Sequence, residues 1–202
     1  MHVKTRRKKR DATMSFVIDA ARTHDPDPEH SEMVTGLALA LFDGLKTLHG
    51  YGPAERRLLE IASRLHDIGW SRVVSGKHHK MSARMICDLG IPELDEKDRQ
   101  IVALIARYHT KAVPDSSRHR RFGSLRPDRR ELVEWLAGML RVADALDSRH
   151  ANAVKKLACE ISDELITMHL KVVGGCKAEI EEARRKGALL VRKAARRIRY
   201  QC

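Results

Sequence analysis

The chain has 202 residues, 43% of them hydrophobic, and 39 Lys plus Arg against 27 Asp plus Glu, a formal charge of +12. That length accommodates one domain with a real core, or a domain plus a small appendage, and the apolar content excludes a disordered protein. No apolar run approaches the roughly 18–20 residues of a membrane helix, and the basic start "MHVKTRRKKRDATMSF" lacks the apolar stretch of a secretory signal, so a soluble, cytoplasmic protein with no membrane partner is expected.

Cys87, Cys159, Cys176 and Cys202 are scattered, with no C-x-x-C pair. Neither a disulfide framework nor a cysteine metal site is expected. The basic excess favours polyanionic partners: nucleic acid, nucleotides or polyphosphate. Much of it lies in "KTRRKKR" and "RRKGALLVRKAARRIR", whose ordinary reading is a tail and a solvated helix face. Aromatic residues are only 4% of the chain, too few for base-stacking platforms, so nucleic-acid binding through these segments is not favoured.

In chain order, residues 1–12 read as a basic disordered tail. "SFVIDAARTHDPDPEH" reads as a short helix and a loop held open by Pro26 and Pro28. From Glu29, Val34, Leu37, Ala38, Leu41, Leu45 and Leu48 recur at helical steps until "HGYGP" ends the pattern. Pro53 opens the next helix, which presents Leu58, Ala62 and Leu65 on one face and runs into His66. Further helices are expected at about Met81–Leu89, Glu96–His109 and Asp128–Ser148, with "RFGSLRPD" as a loop. "LACEIS" and "LITMHLKVV" then read as two strands around a polar turn, and Gly174–Gly175 as a break. A basic helix from Lys177 to about Arg196 and a last short strand at "RIRY" complete the chain. The predicted fold is mainly α: a helical domain over residues 13–152, then a small α+β module over 153–202.

Ionisable residues punctuate these helices. His30 starts the first long one, and His66 and Asp67 end the second in "RLHDIGW". His78 and His79 precede the third in "SGKHHKMSA", His109 ends the fourth, and Asp144 lies in "LRVADALD" on the last. Such groups, one or two per helix and mostly near helix ends, are what a metal cage inside a bundle requires. Imidazole and carboxylate ligands suit Mn, Fe, Ni, Zn or Mg rather than a thiol-selective ion. Each residue alone has an ordinary reading, as a cap, a solvated loop group or a satisfied core histidine. Asp144 resists it, because an unpaired carboxylate on an apolar helix is costly. Asp147 has the simple reading of pairing with Arg149 or Arg141. Gly69 reads as a flexible exit that lets His66 and Asp67 both reach one ion or two neighbouring ions. A second His-Asp pair, His24–Asp25, lies in a proline-broken segment and is given no metal role.

The order His…His-Asp…His…His…Asp resembles the signature of the HD superfamily of metal-dependent phosphohydrolases. More closely, "EHSEMVTGLALALFDGLKTLHG", "ERRLLEIASRLHDIG", "HHKMSARMI", "IVALIARYHTKAVP" and "LRVADALDSRH" resemble the C-terminal region of the exopolyphosphatase and guanosine pentaphosphate phosphatase family. The likeness covers about residues 20–200. It implies an HD-type helical bundle with His30, His66, Asp67 and Asp144 as metal ligands, and His79 and His109 completing the set. In that family the polyphosphatase site lies in actin-like N-terminal domains, to which these 202 residues show no resemblance. Many relatives carry a histidine just before the "SA" of the third helix, where this chain has Met81. A thioether is a poor ligand for a hard ion, so one or two divalent ions remain open, with His78 or His79 as substitutes.

For catalysis, a bound ion would lower the pKa of a water toward ~7. Asp67 would ligate the ion and orient the nucleophile. Lys80, Arg141 and Arg149 are the candidate cations for phosphoryl oxygens, and Lys77, Arg107 and Lys111 weaker ones. The favoured reading is a stand-alone metal-dependent phosphohydrolase acting on a nucleotide or another phosphate ester or anhydride. The alternative is a non-catalytic module that binds polyphosphate or a phosphorylated nucleotide. A homodimer is compatible with either.

Overall fold

The computed structural model describes residues 2–74 and 76–202, and of residues 2–11 only the backbone. Helix α1 runs His2–His24 and so takes in the segment expected to be a disordered tail. Lys and Arg are good helix formers, so a run of charge does not by itself preclude helix. Val17 and Ala21 of α1 are buried, and α1 packs against the helix over Pro53–Arg64 and the turn over Ile68–Arg72. Across the proline-broken loop, Asp25 accepts hydrogen bonds from Ser31 Oγ at 2.5 Å and Asp27 N at 2.9 Å. Asp25 thus serves the loop and braces the start of α2.

Helix α2, Pro28–Gly44, has proline in its first turn and Asp27 as N-cap, which accepts from His30 N at 3.1 Å. The expected apolar stripe of Val34, Leu37, Ala38 and Leu41 is buried. The helix breaks at Leu45 and resumes as the short α3, Lys46–His49. Helix α4, Pro53–Arg64, leads into a 3-10 turn over Ile68–Arg72. Helices α5, His78–Asp88, and α6, Glu96–Arg107, pack against each other. A four-residue helix α7, Arg120–Gly123, lies where only a loop was expected. Helix α8, Pro127–Ala145, is the central element: every residue from Trp135 to Ala145 is buried, and it contacts α2, α4 and α6.

The remainder is the expected α+β part. Strands β1, Val154–Ile161, and β2, Leu165–Val172, form an antiparallel hairpin. Helices α9, Lys177–Lys186, and α10, Ala188–Ala194, then lead to β3, Arg197–Gln201, which pairs parallel to β2. Parallel pairing needs such a crossover connection. The basic helix expected as one piece is two, because the chain turns at Gly187, which has no room for a side chain: a Cβ there would meet Ala183 O at 2.7 Å. Strand β1 packs on α2, and α9 and α10 pack on α8. One apolar core runs through both parts, from Val17 to Tyr200. Among the described residues no helix is long and apolar enough to cross a membrane.

Candidate metal centre

Five helices bring ionisable residues at or near their ends to one point inside the bundle. His30 comes from the first turn of α2, held there by the Asp27 cap. His66 and Asp67 follow α4, where the helix has given way to turn and the backbone no longer forces adjacent side chains apart. His78 begins α5, His109 follows α6, and Asp144 lies near the end of α8. All six are 9% exposed or less.

The histidine rings are oriented from behind. His66 Nδ1 donates to Ser63 O at 2.6 Å, His109 Nδ1 to Ala106 O at 2.7 Å, and His30 Nδ1 to Asp147 Oδ2 at 2.9 Å. A carbonyl only accepts, so the first two rings carry their proton on Nδ1 and, when neutral, aim a bare Nε2 inward. This outer-shell pattern is the one that fixes metal-binding histidines. Buried His30 Nε2, His66 Nε2 and Asp67 Oδ1 have no hydrogen-bond partner. Such orphans are costly unless something else satisfies them.

Two overlapping groups have donor atoms mutually within 4.8 Å: His30, His66 and Asp144, and His66, Asp67 and His109. His30 Nε2 and His66 Nε2 lie 3.5 and 3.8 Å from Asp144 Oδ1. His66 Nε2 lies 3.7 Å from Asp67 Oδ2, and His109 Nε2 is 3.6 Å from Asp67 Oδ1. These separations are long for hydrogen bonds. They suit donors sharing an ion, since ligands at about 2.0–2.2 Å from a tetrahedral centre stand roughly 3.3–3.6 Å apart. His66 belongs to both groups, and one or two ions fit the donor set equally.

Electrostatics keep the carboxylates ionised. Burial opposes charge on Asp144, but the adjacent His30 ring and the Lys186 ammonium outweigh it and hold its carboxyl well below the usual range. Asp67 is likewise lowered: burial raises it, and His66 and His109 outweigh that. Burial, with His66 beside it, pushes His109 down to about 3, leaving it neutral. His30 goes the other way: burial disfavours its charge, but Asp144 and Asp147 push it up to about 10.

The sequence-predicted residues separate here. His30, His66, Asp67, His109 and Asp144 converge. His79 does not join them; it is buried nearby, its ring centroid 6.5 Å from that of His109, and its Nδ1 has no partner. His78 takes the inner position instead, with Nε2 3.1 Å from His109 Nε2 and 3.3 Å from Asp67 Oδ1. Trp70 stacks on the His78 ring at 4.1 Å. Met81 is partly buried against the apolar core. Three expected cations point elsewhere. Arg141 is buried, and its guanidinium donates to Tyr108 O, Lys111 O and Lys186 O. Arg149 forms a fork on Glu179, at 2.6 and 3.0 Å, and donates to Gly175 O. Lys80 is exposed on the outer side of α5.

Three contributors escaped the sequence reading. Lys186, at the end of α9, places Nζ 2.6 Å from Asp144 Oδ2. Asp147, expected to pair with arginine, instead binds His30 and accepts from Asn152 N at 2.8 Å. His150 stacks on the His30 ring at 3.9 Å and bonds Asp27 Oδ2 at 2.7 Å. Only Asp147 carried a signal, its one-turn spacing from Asp144. Gly69 has a different role from the one expected. Its backbone presses on α5: a Cβ would come within 2.5 Å of Ser82 N and 2.7 Å of Ser82 Oγ, and Gly69 N donates to that hydroxyl at 2.9 Å. Close packing of the turn on α5, rather than flexibility, requires glycine there.

A comparison with curated proteins finds no match. A family model described as Ppx/GppA phosphatase, domain III, matches residues 10–182, which takes in every residue of the cluster except Lys186. The chain therefore belongs to the Ppx/GppA phosphatase family, within the part described as its domain III.

Proposed function

We propose that the chain is a metal-dependent phosphohydrolase of HD type, acting on a nucleotide or another phosphate ester or anhydride. One observation carries the reading: three histidines, braced at Nδ1, converge on two buried carboxylates, and His30 Nε2, His66 Nε2 and Asp67 Oδ1 lack hydrogen-bond partners there. His30, His66 and Asp144 would hold one divalent ion, and Asp67 and His109, with His78 in place of His79, would hold a second or complete the first. Such an ion supplies positive charge to phosphoryl oxygens and a water of lowered pKa. Asp67 would share in ligation and orient the attacking water through its second oxygen. Lys186, 13% exposed at the edge of the cluster, replaces Lys80, Arg141 and Arg149 as the cation nearest the chemistry.

Membership of the family supports the phosphatase relation and with it the reading of a phosphorylated substrate. A second reading, a non-catalytic module that binds polyphosphate or a phosphorylated nucleotide, is favoured by the loss of Arg141 and Arg149 to structural bonds. Metal analysis of protein purified without chelator comes first, then phosphatase assays with Mn, Ni, Fe, Zn and Mg on a panel of phosphate esters. His66→Ala and Asp67→Ala should lose the ion and any turnover while retaining helical circular dichroism. Bound ion without turnover on the panel selects the second reading. Protein that holds no ion under any loading condition sinks both the ion and the enzyme.

A further inference from the structure

On the outer side of the bundle, α5, α6 and α7 line an open cavity of about 280 Å³. Positions 80, 83, 84 and 87 of α5 face positions 100, 103, 104 and 107 of α6 across it, each set at helical spacing. Five cations line it: Lys80, Arg84, Arg107, Arg120 and Arg121. No carboxylate lines it, and among the described residues none of the five has an ion-pair partner. Arg107 is the most committed of them. Its guanidinium carbon sits 5.6 Å from the Tyr108 ring centroid, and its Nη1 is buried with no hydrogen-bond partner. Burial also pulls its pKa down, as expected of a guanidinium short of counter-charge. The floor is apolar, made by Ala83, Ala103, Leu104 and Phe122.

We propose that this cavity is an anion site, separate from the metal cluster, for a small phosphate ester whose head group meets Arg107 and Arg84 and whose apolar body rests on the floor. Guanidinium forks match phosphate oxygens in pairs. A dianion offsets the mutual repulsion of clustered cations better than a carboxylate can. The buried, unpaired Nη1 is the donor such a ligand would satisfy. The volume suits a small ester and not a long chain.

The test is calorimetric titration of the chelator-treated full chain with phenyl phosphate and with inorganic phosphate. One saturable site is expected, with phenyl phosphate binding more tightly because of the floor. Arg84→Gln with Arg107→Gln should weaken it by about tenfold or more, the loss of a charge-assisted hydrogen bond. Lys80→Gln with Arg84→Gln changes only exposed side chains and carries the test if Arg107→Gln unfolds. Asp67→Asn, in the metal cluster, should leave this binding intact, so the site stands or falls independently of the ion. Absence of saturable binding overturns the proposal. So does equal weakening by Arg192→Gln on α10, which would mean general electrostatics, or loss of binding in Asp67→Asn.

Discussion

Lys186 and a divalent ion compete for the same carboxylate, and that competition is measurable. Lys186 Nζ lies 2.6 Å from Asp144 Oδ2, with the two side chains 13% and 11% exposed. Replacing Lys186 with Met keeps the aliphatic stem and removes the charge. In the metal-free protein this leaves a buried carboxylate with His30 Nε2, 3.5 Å away, as its nearest charge partner. Breaking a buried pair by removing one partner costs about 3–5 kcal/mol, and the surviving His30 contact points to the lower end. For a chain of this size about 3 kcal/mol lowers the melting temperature by roughly 6–12 °C. Thermal unfolding in chelator should show that drop. Added Mn or Zn should restore most of it, because the ion takes over the role of the ammonium, and metal affinity by calorimetry should rise above that of the unmodified chain. An unchanged melting temperature in chelator, or a weaker metal affinity in Lys186→Met, refutes the reasoning.

Asp147→Asn keeps the shape but weakens the brace on His30 Nδ1, and metal affinity should fall about 10–100-fold with the helical spectrum unchanged; an unaltered affinity would show that the brace is dispensable. Gly69→Ala drives a methyl into Ser82 and should cost about 3 kcal/mol, read by denaturant unfolding, together with weaker metal binding as α5 and His78 shift. Metal uptake should depend on pH. His30 is raised from 6.5 to about 10 in the metal-free protein, so its contribution to stability is complete below about 6.5 and is lost as pH climbs through about 10. An ion binding at Nε2 must displace that proton, so affinity should rise about tenfold per pH unit between roughly 7 and 10, with proton release visible in buffers of different ionisation enthalpy. The pH trend should flatten in His30→Ala, which removes the titrating group.

Much of the architecture was legible because helical periodicity and proline punctuation are local signals. Pro28 and Pro53 open α2 and α4 where their rigid φ belongs, and the stripe from Val34 to Leu41 is the buried face of α2. The strand pair at 154–172 followed from its β-branched, apolar runs around a polar turn. The 3-10 turn after Asp67, the kink at Leu45 and the break at Gly187 were not legible, because each depends on what packs against the backbone. The same division runs through the candidate site. His30, His66, Asp67, His109 and Asp144 could be named because residue types suited to a hard ion sat at helix ends. The choice between His78 and His79 could not be made: neighbouring positions on α5 differ by a rotation of the helix, and only packing on α6 and Trp70 decides which ring turns inward.

The sequence by itself determined that the chain is a helical bundle with a small α+β end, and which chemical groups cluster, since periodicity and residue type are properties of local segments. The tertiary structure alone decided the charge balance of the cluster. It sends Arg141 and Arg149, neighbours of Asp144 in sequence, to backbone carbonyls and to Glu179. It brings Lys186, forty-two positions away, to Asp144 instead. The physical reason is that a long cationic side chain goes where unsatisfied acceptors lie within its reach, and those acceptors are set by how α8, α9 and the turn after α6 pack together.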